Sequence, residues 1–184
     1  MVSTSSLMAS KMYLATSHSW PETPMMEVSS ATRERSLSFI VMIDYAHNAM
    51  SLESLLSTLR EYNPNRIVCL FGCGGNRSKL RRFEMGEVSG RMADLTIITS
   101  DNPRDEDPAL IMQDIETGIK KTSGSYVMIE DRGEAVKYAI EHGEKGDIIV
   151  LAGKGHEDYQ EIKGVRYHQT DKELVQKAME DLAR

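Results

Sequence analysis

From Ser38 onward the chain alternates short, continuously apolar runs with stretches whose apolar residues recur every three or four positions. "SFIVMID" (38–44) precedes "SLESLLSTLREY" (51–62), and "NRIVCLF" (65–71) precedes "LRRFEMGEVSGRM" (80–92). "LTIITS" (95–100) is followed by "PALIMQDIETGIKK" (108–121), and "SYVMI" (125–129) by "EAVKYAIEHG" (134–143). A fifth apolar run, "GDIIVLAG" (146–153), leads into "YQEIKGVRYH" (159–168), which reads as a hairpin turning at Lys163-Gly164. "DKELVQKAMEDLA" (171–183) closes the chain as a helix capped by Thr170 or Asp171. Apolar runs without polar alternation belong to strands covered on both faces, and interposed helices make such strands parallel. The expected fold is therefore α/β: a Rossmann-like, doubly wound, mostly parallel sheet with helices on both faces and a C-terminal hairpin. Residues 1–37, rich in Ser, Thr and Met without a period, read as an irregular lead-in, poorly ordered or left over from a preceding domain. Residues 38–184 form the domain proper.

The polar clusters fall where apolar runs stop: "DYAHN" (44–48), "GCGGNR" (72–77), "SDNPR" (100–104) and "GKGHE" (153–157). Doubly wound sheets bind ligands beyond the carboxyl ends of their strands, where the winding reverses. Four such clusters on one rim describe a site, whereas scattered polar loops would describe only solvation.

Composition changes this picture little. The chain has 184 residues, 40% apolar and 27% charged, with a net charge of −6, so it can bury a real core and a wholly basic nucleic-acid face is not expected. Cys69 and Cys73 alone build neither a disulfide framework nor a four-ligand zinc site, which fits a reducing cytoplasm. No run reaches the roughly 18 to 20 apolar residues that span a membrane. The first twenty residues lack the basic leader and apolar block of a signal peptide.

Each cluster has a bland reading beside a functional one. "GCGGNRSK" lacks both the G-x-x-x-x-G-K-[ST] and the G-x-G-x-x-G spacing, so it is either a tight strand-to-helix turn or a non-standard ligand loop. Arg77, Lys79, Arg81 and Arg82 follow it, as a solvated basic face or with at least one guanidinium on the rim. In "DYAHN", Asp44 suits the hydroxyls of a ribose and His47 a nucleotide or phosphate; both also suit a helix start. No His and carboxylate residues show metal-ligand spacing. "GKGHE" flanks Lys154 with glycines and leaves Glu157 as an acceptor at the rim, or simply turns into the hairpin. "SDNPR" says most. Pro103 fixes its own φ and pushes Asn102 into an extended conformation, so the corner is stiff. Arg104 offers a fork for a carboxylate and Asp101 a partner for an ammonium. They either neutralise each other or, held apart, grip the two charges of a free amino acid.

Together, "IDYAHN", "FGCGGNRSKLRR", "TSDNPRDEDP", "EDRGEAV" and "LAGKGHEDYQ" resemble, in order and spacing, the C-terminal domain of the Mur ligases of peptidoglycan synthesis. The resemblance spans 38–184 and is strongest to the diaminopimelate-adding members. It implies a selector loop at Asp101, Asn102, Pro103 and Arg104, an amino-acid-gripping arginine at Arg82, and a head-group pocket completed by Gly153 and Glu157. It places Asp44 and His47 on the nucleotide side of the cleft. Arg104 and Arg82 would then hold the distal carboxylate of meso-diaminopimelate, while Asp101 and Glu157 receive its ammonium. The chain departs from the family at Asn48-Ala49-Met50 and Arg81-Arg82-Phe83, and only "PMMEV" (24–28) echoes the family's domain junction.

The implied reaction uses ATP and Mg2+, bound mainly by a central domain, to activate the glutamate of UDP-MurNAc-L-Ala-D-Glu as an acyl phosphate. The amine of diaminopimelate then attacks it. The 184 residues contain no phosphate loop, so this chain by itself is expected to position the amine rather than catalyse, with the central and N-terminal domains as its partners. A lysine-adding Mur ligase domain, a folylpolyglutamate synthetase-type domain and a non-catalytic ligand-binding module stand as alternatives.

Overall fold

The computed structural model describes residues 26–27 and 39–183, so most of the lead-in read over 1–37 lies outside the described residues. Five parallel strands form the sheet: β2 (Ile40–Asp44), β3 (Ile67–Phe71), β4 (Leu95–Ile98), β5 (Tyr126–Met128) and β6 (Ile148–Ala152). A two-residue strand β1 (Met26–Glu27) pairs antiparallel with β2, inside the segment read as lead-in. The order across the sheet is β1-β2-β6-β3-β4-β5. The doubly wound α/β expectation holds.

β3 and β6 are buried along their whole length, as their unbroken Ile/Val/Leu sequences require. Helices α1 (Ala49–Arg60), α2 (Lys79–Met92) and α3 (Pro108–Ile119) cover one face, with Leu52, Leu56, Met85 and Ile115 in its core. Helices α4 (Arg132–Glu141) and α5 (Asp171–Leu182) cover the other, through Val136, Ile140 and Val175. The hairpin of β7 (Tyr159–Ile162) and β8 (Val165–His168) turns at Lys163-Gly164, both at positive φ (49° and 76°) as a type I′ turn needs.

The helix starts follow local chemistry. Asn48 accepts from Ser51 N–H at 2.9 Å while the Ser51 hydroxyl accepts from Asn48 N–H at 3.3 Å, so one loop residue is committed to starting α1. Asp107 caps α3, and Thr170, rather than Asp171, caps α5. Asp171 is freed for a bidentate pair with Arg132, both side chains fully buried, at 2.7 Å for each contact. That pair bolts the first turn of α5 to the first turn of α4.

α2 and α3 meet at glycines. A Cβ on Gly86 would collide with the Ile115 carbonyl, and one on Gly118 with the Phe83 carbonyl. Replacing Gly118 by Ala gains about 1 kcal/mol of helix propensity, but pushing two backbones apart costs about 1–3 kcal/mol. Because the obstacle is a carbonyl rather than a flexible side chain, the clash should win. Gly118→Ala is expected to lower the urea midpoint; an unchanged or raised midpoint would show that the helices separate freely.

Candidate functional site

Parallel pairing puts the carboxyl ends of β2 to β6 on one rim, and the four polar clusters lie there. They enclose a cleft of about 290 Å³, near the lower end for small-molecule sites. Gly72, Cys73 and Gly74 line it from the loop after β3, with Arg77 and Arg81 beyond them. Asp101, Asn102 and Arg104 line it from the loop after β4, Gly153 and Glu157 from the loop after β6, and Tyr45 and His47 from the loop after β2.

The loops after β3 and β4 are stitched together. Gly75 N–H donates to the Asn102 carbonyl at 2.9 Å, and Arg104 Nη1 donates to the Gly75 carbonyl at 2.9 Å. Their approach is so close that a Cβ on Gly75 would collide with the Pro103 carbonyl, which is why glycine stands there. Asn76 reaches across to Asp105 and Glu106. Arg104 adopts a left-handed φ of 51°, held because its N–H donates to Glu161 O at 3.0 Å and its carbonyl accepts from Lys163 N–H at 2.8 Å. The hairpin thus holds the corner from outside, and Glu161 Oε2 stands 3.4 Å from Arg104 Nε.

Asn102 is buried and satisfied at both ends of its amide. Its Oδ1 accepts from Glu161 N–H at 2.9 Å, and its Nδ2 donates to Glu157 Oε2 at 2.9 Å. Beneath it lies Lys154, with no exposed surface; its Nζ donates to the Tyr159 carbonyl at 2.6 Å and sits 3.4 Å from Asp101 Oδ1 and 3.5 Å from Glu157 Oε2. Burial raises the Asp101 carboxyl above its ordinary range, against the opposing charges of Arg132 and Lys154. The two carboxylates assigned to a ligand ammonium therefore already share an internal one.

On the other side, Asp44 Oδ1 accepts from Ala46 N–H at 2.7 Å and its carboxyl is raised by burial. Asp44 ends β2 and is not among the residues that line the cleft, whereas His47 lines it with Nδ1 turned to the Tyr45 carbonyl at 2.8 Å. The Tyr45 ring stacks on His156 at 5.6 Å between centroids, so the loops after β2 and β6 touch through aromatic faces.

Arg82 departs from its expected place. It lies on the inner face of α2, 1% exposed and outside the cleft lining, bonded to Glu106 at 2.7 Å and Asp114 at 2.9 Å. One turn of helix decides this: the position that faces Asp114 of α3 cannot also face the rim. The bond to Arg82 pulls the Glu106 carboxyl below its ordinary range. Arg77 and Arg81 occupy the wall instead, and Arg77 could have been singled out as the basic residue nearest the glycines. Nothing in the sequence marked Lys154 as buried. Both cysteines are buried, which pushes each thiol up to about 12 and leaves it inert.

The comparisons with known proteins bear on the family and the fold. The family model "Mur ligase, glutamate ligase domain" matches residues 26–155. A UDP-N-acetylmuramoyl-L-alanyl-D-glutamate–2,6-diaminopimelate ligase of Alkaliphilus metalliredigens is 50% identical over 124 residues, 67% of this chain and 25% of that protein. The ligase of the same name from Clostridium botulinum is 40% identical over 151 residues, 82% of this chain and 31% of that protein. A solved structure of a ligase so named superposes with a TM-score of 0.78 at 37% identity, over 90% of this chain and 33% of that one. The chain thus spans about a quarter to a third of the length of these relatives.

Arg82 and Arg77 can be separated by experiment. Arg82→Ala strips two partly buried carboxylates of their partner and is expected to lower stability by about 2–3 kcal/mol, somewhat less than for a wholly buried pair. Arg77→Ala, at an exposed position, should stay within about 0.5 kcal/mol. Urea unfolding of both variants checks this; equal losses would refute the assignment. With the family model, the relatives and the superposed structure in agreement, the chain belongs to the Mur ligase family, as its glutamate ligase domain.

Proposed function

We propose that this chain is the amino-acid-binding domain of an ATP-dependent amide-bond ligase that adds meso-diaminopimelate to UDP-MurNAc-L-Ala-D-Glu. The observation that carries the reading is the convergence of Asp101, Asn102, Arg104, Gly153 and Glu157 on one cleft walled by Arg77 and Arg81. Both signs of charge face the same small space. A zwitterionic tail suits it, with its carboxylate toward Arg104 and its ammonium toward Asp101 and Glu157. The names of the relatives support the same ligand.

In this reading the domain orients the incoming amine, turning an encounter into a near-unimolecular step. Arg82 acts at one remove: by holding Glu106, which also accepts from Asn76 N–H, it fixes the loop that presents Arg77. Asp44, half-buried at a strand's carboxyl end, and His47 suit the ribose side of a nucleotide. ATP, when bound, supplies the phosphoryl group that activates the glutamate carboxyl. Mg2+ would be held mainly by the central domain and the phosphates of ATP; among the described residues no group of three or more His, Cys, Asp or Glu could hold a metal ion by itself. No helix among them is long and apolar enough to cross a membrane.

Calorimetric titration of the 184-residue chain with meso-diaminopimelate and with L-lysine tests the reading. Diaminopimelate is expected to bind at least about tenfold tighter, because only its distal carboxylate can add a charge-assisted bond to Arg104 beyond those to Gly75 and Glu161. Arg104→Ala should erase the difference, and a preference for lysine in the unaltered chain would refute the assignment. Incubated with ATP, Mg2+, meso-diaminopimelate and the dipeptide substrate, this chain alone should form no amide; measurable ATP-dependent synthesis would show that its role goes beyond positioning.

A further inference from the structure

Lys154 is the first residue after Gly153 in the loop that follows β6, the strand inserted between β2 and β3. Its side chain has no exposed surface, yet its Nζ lies within 3.5 Å of the two carboxylates that open onto the cleft. The Asn102 Oδ1 at 3.4 Å and the Tyr159 carbonyl at 2.6 Å complete its surroundings, and the Tyr159 ring lies 5.7 Å away. The neighbouring cation, Arg132, is matched by Asp171. Unlike Arg132, which Asp171 matches, the Lys154 ammonium has Asp101 and Glu157 themselves as its nearest carboxylates among the described residues.

This has a consequence for selection. Two bare carboxylates at the end of a cleft would draw in any tail bearing an ammonium, lysine included. An internal ammonium lodged between them offsets part of their negative charge toward a ligand, while Arg77, Arg81 and Arg104 line the same space. The balance favours a tail that brings a carboxylate along with its ammonium.

We propose that Lys154 is a specificity-determining residue, an internal cation that discounts Asp101 and Glu157 so that a lone ammonium is rejected and a zwitterionic tail is kept. Its action is separate from that of Arg104: Arg104 rewards the carboxylate, and Lys154 weakens the pull on an ammonium that arrives without one. The inference rests on the ligand class proposed above.

The test is the ratio of affinities for meso-diaminopimelate and L-lysine in the unaltered chain and in Lys154→Met, which keeps the length of the side chain and removes its charge. The ratio should fall about tenfold, the size expected of one charge acting at a partly shielded site. It should do so mainly because lysine binds better. Equal weakening of both ligands, or an unchanged ratio, would overturn the proposal and leave Lys154 as loop support. Should the Met variant fail to fold by circular dichroism, nitrogen-detected NMR of the unaltered chain decides. A Lys154 Nζ resonance displaced more by lysine than by diaminopimelate supports the proposal, and equal displacement by the two, or none, overturns it. If the unaltered chain prefers lysine or binds neither probe, the ligand assignment itself falls, which is a different result from an unchanged ratio.

Discussion

Strand β6 pairs in parallel with both β2 and β3, and that pairing fixes where every loop of the site lies. β6 is the last strand of the sheet in sequence but sits inside it, so the chain must return after β5 and slot between two strands already laid down. Its loop is thereby delivered to the middle of the rim, against the loops after β2 and β4. An antiparallel return would have carried Gly153, Lys154 and Glu157 to the opposite edge. The register is held by burial on both faces, because a shift by one residue would exchange the two cores that Val150 and Leu151 enter.

On that frame, the cleft is kept in shape by polar groups that have little freedom to move. Asn102 and Lys154 are buried, and a buried polar group left without a partner costs about 1–3 kcal/mol. Each bond they make is therefore a constraint on the loop, and the loop after β4 is tied to the hairpin, to the loop after β3 and to the loop after β6. The left-handed conformation of Arg104 is part of the same arrangement: it is unfavourable alone, and backbone bonds to β7 and the hairpin turn on either side hold it. A corner fixed this way presents its guanidinium ready-made, which spares the ordering cost of binding.

The fold was legible because its signals are local. Five continuous apolar runs, the helical spacing between them, the Thr170-Asp171 pair ahead of the last helix and Lys163-Gly164 in the hairpin turn each say what they form without reference to the rest of the chain. Asp101, Asn102, Arg104, Gly153 and Glu157 could be placed on one rim for the same reason, since a residue just past a parallel strand has only one edge to occupy. Arg82 was another matter. In a helix, a shift of one position turns a side chain by about 100°, and whether it meets the ligand or Asp114 depends on where α3 lies.

What the sequence by itself determined is thus the order of strands and helices, the turns, and the set of loops that share an edge, because hydrophobic period and capping act over a few neighbouring residues. Only the tertiary structure decided which charges in those loops are available. It gave Arg82 to Glu106 and Asp114, turned Arg77 and Arg81 to the cleft, and sank Lys154 between Asp101 and Glu157. Charges choose partners by distance through space, and that distance exists only once the strands have paired.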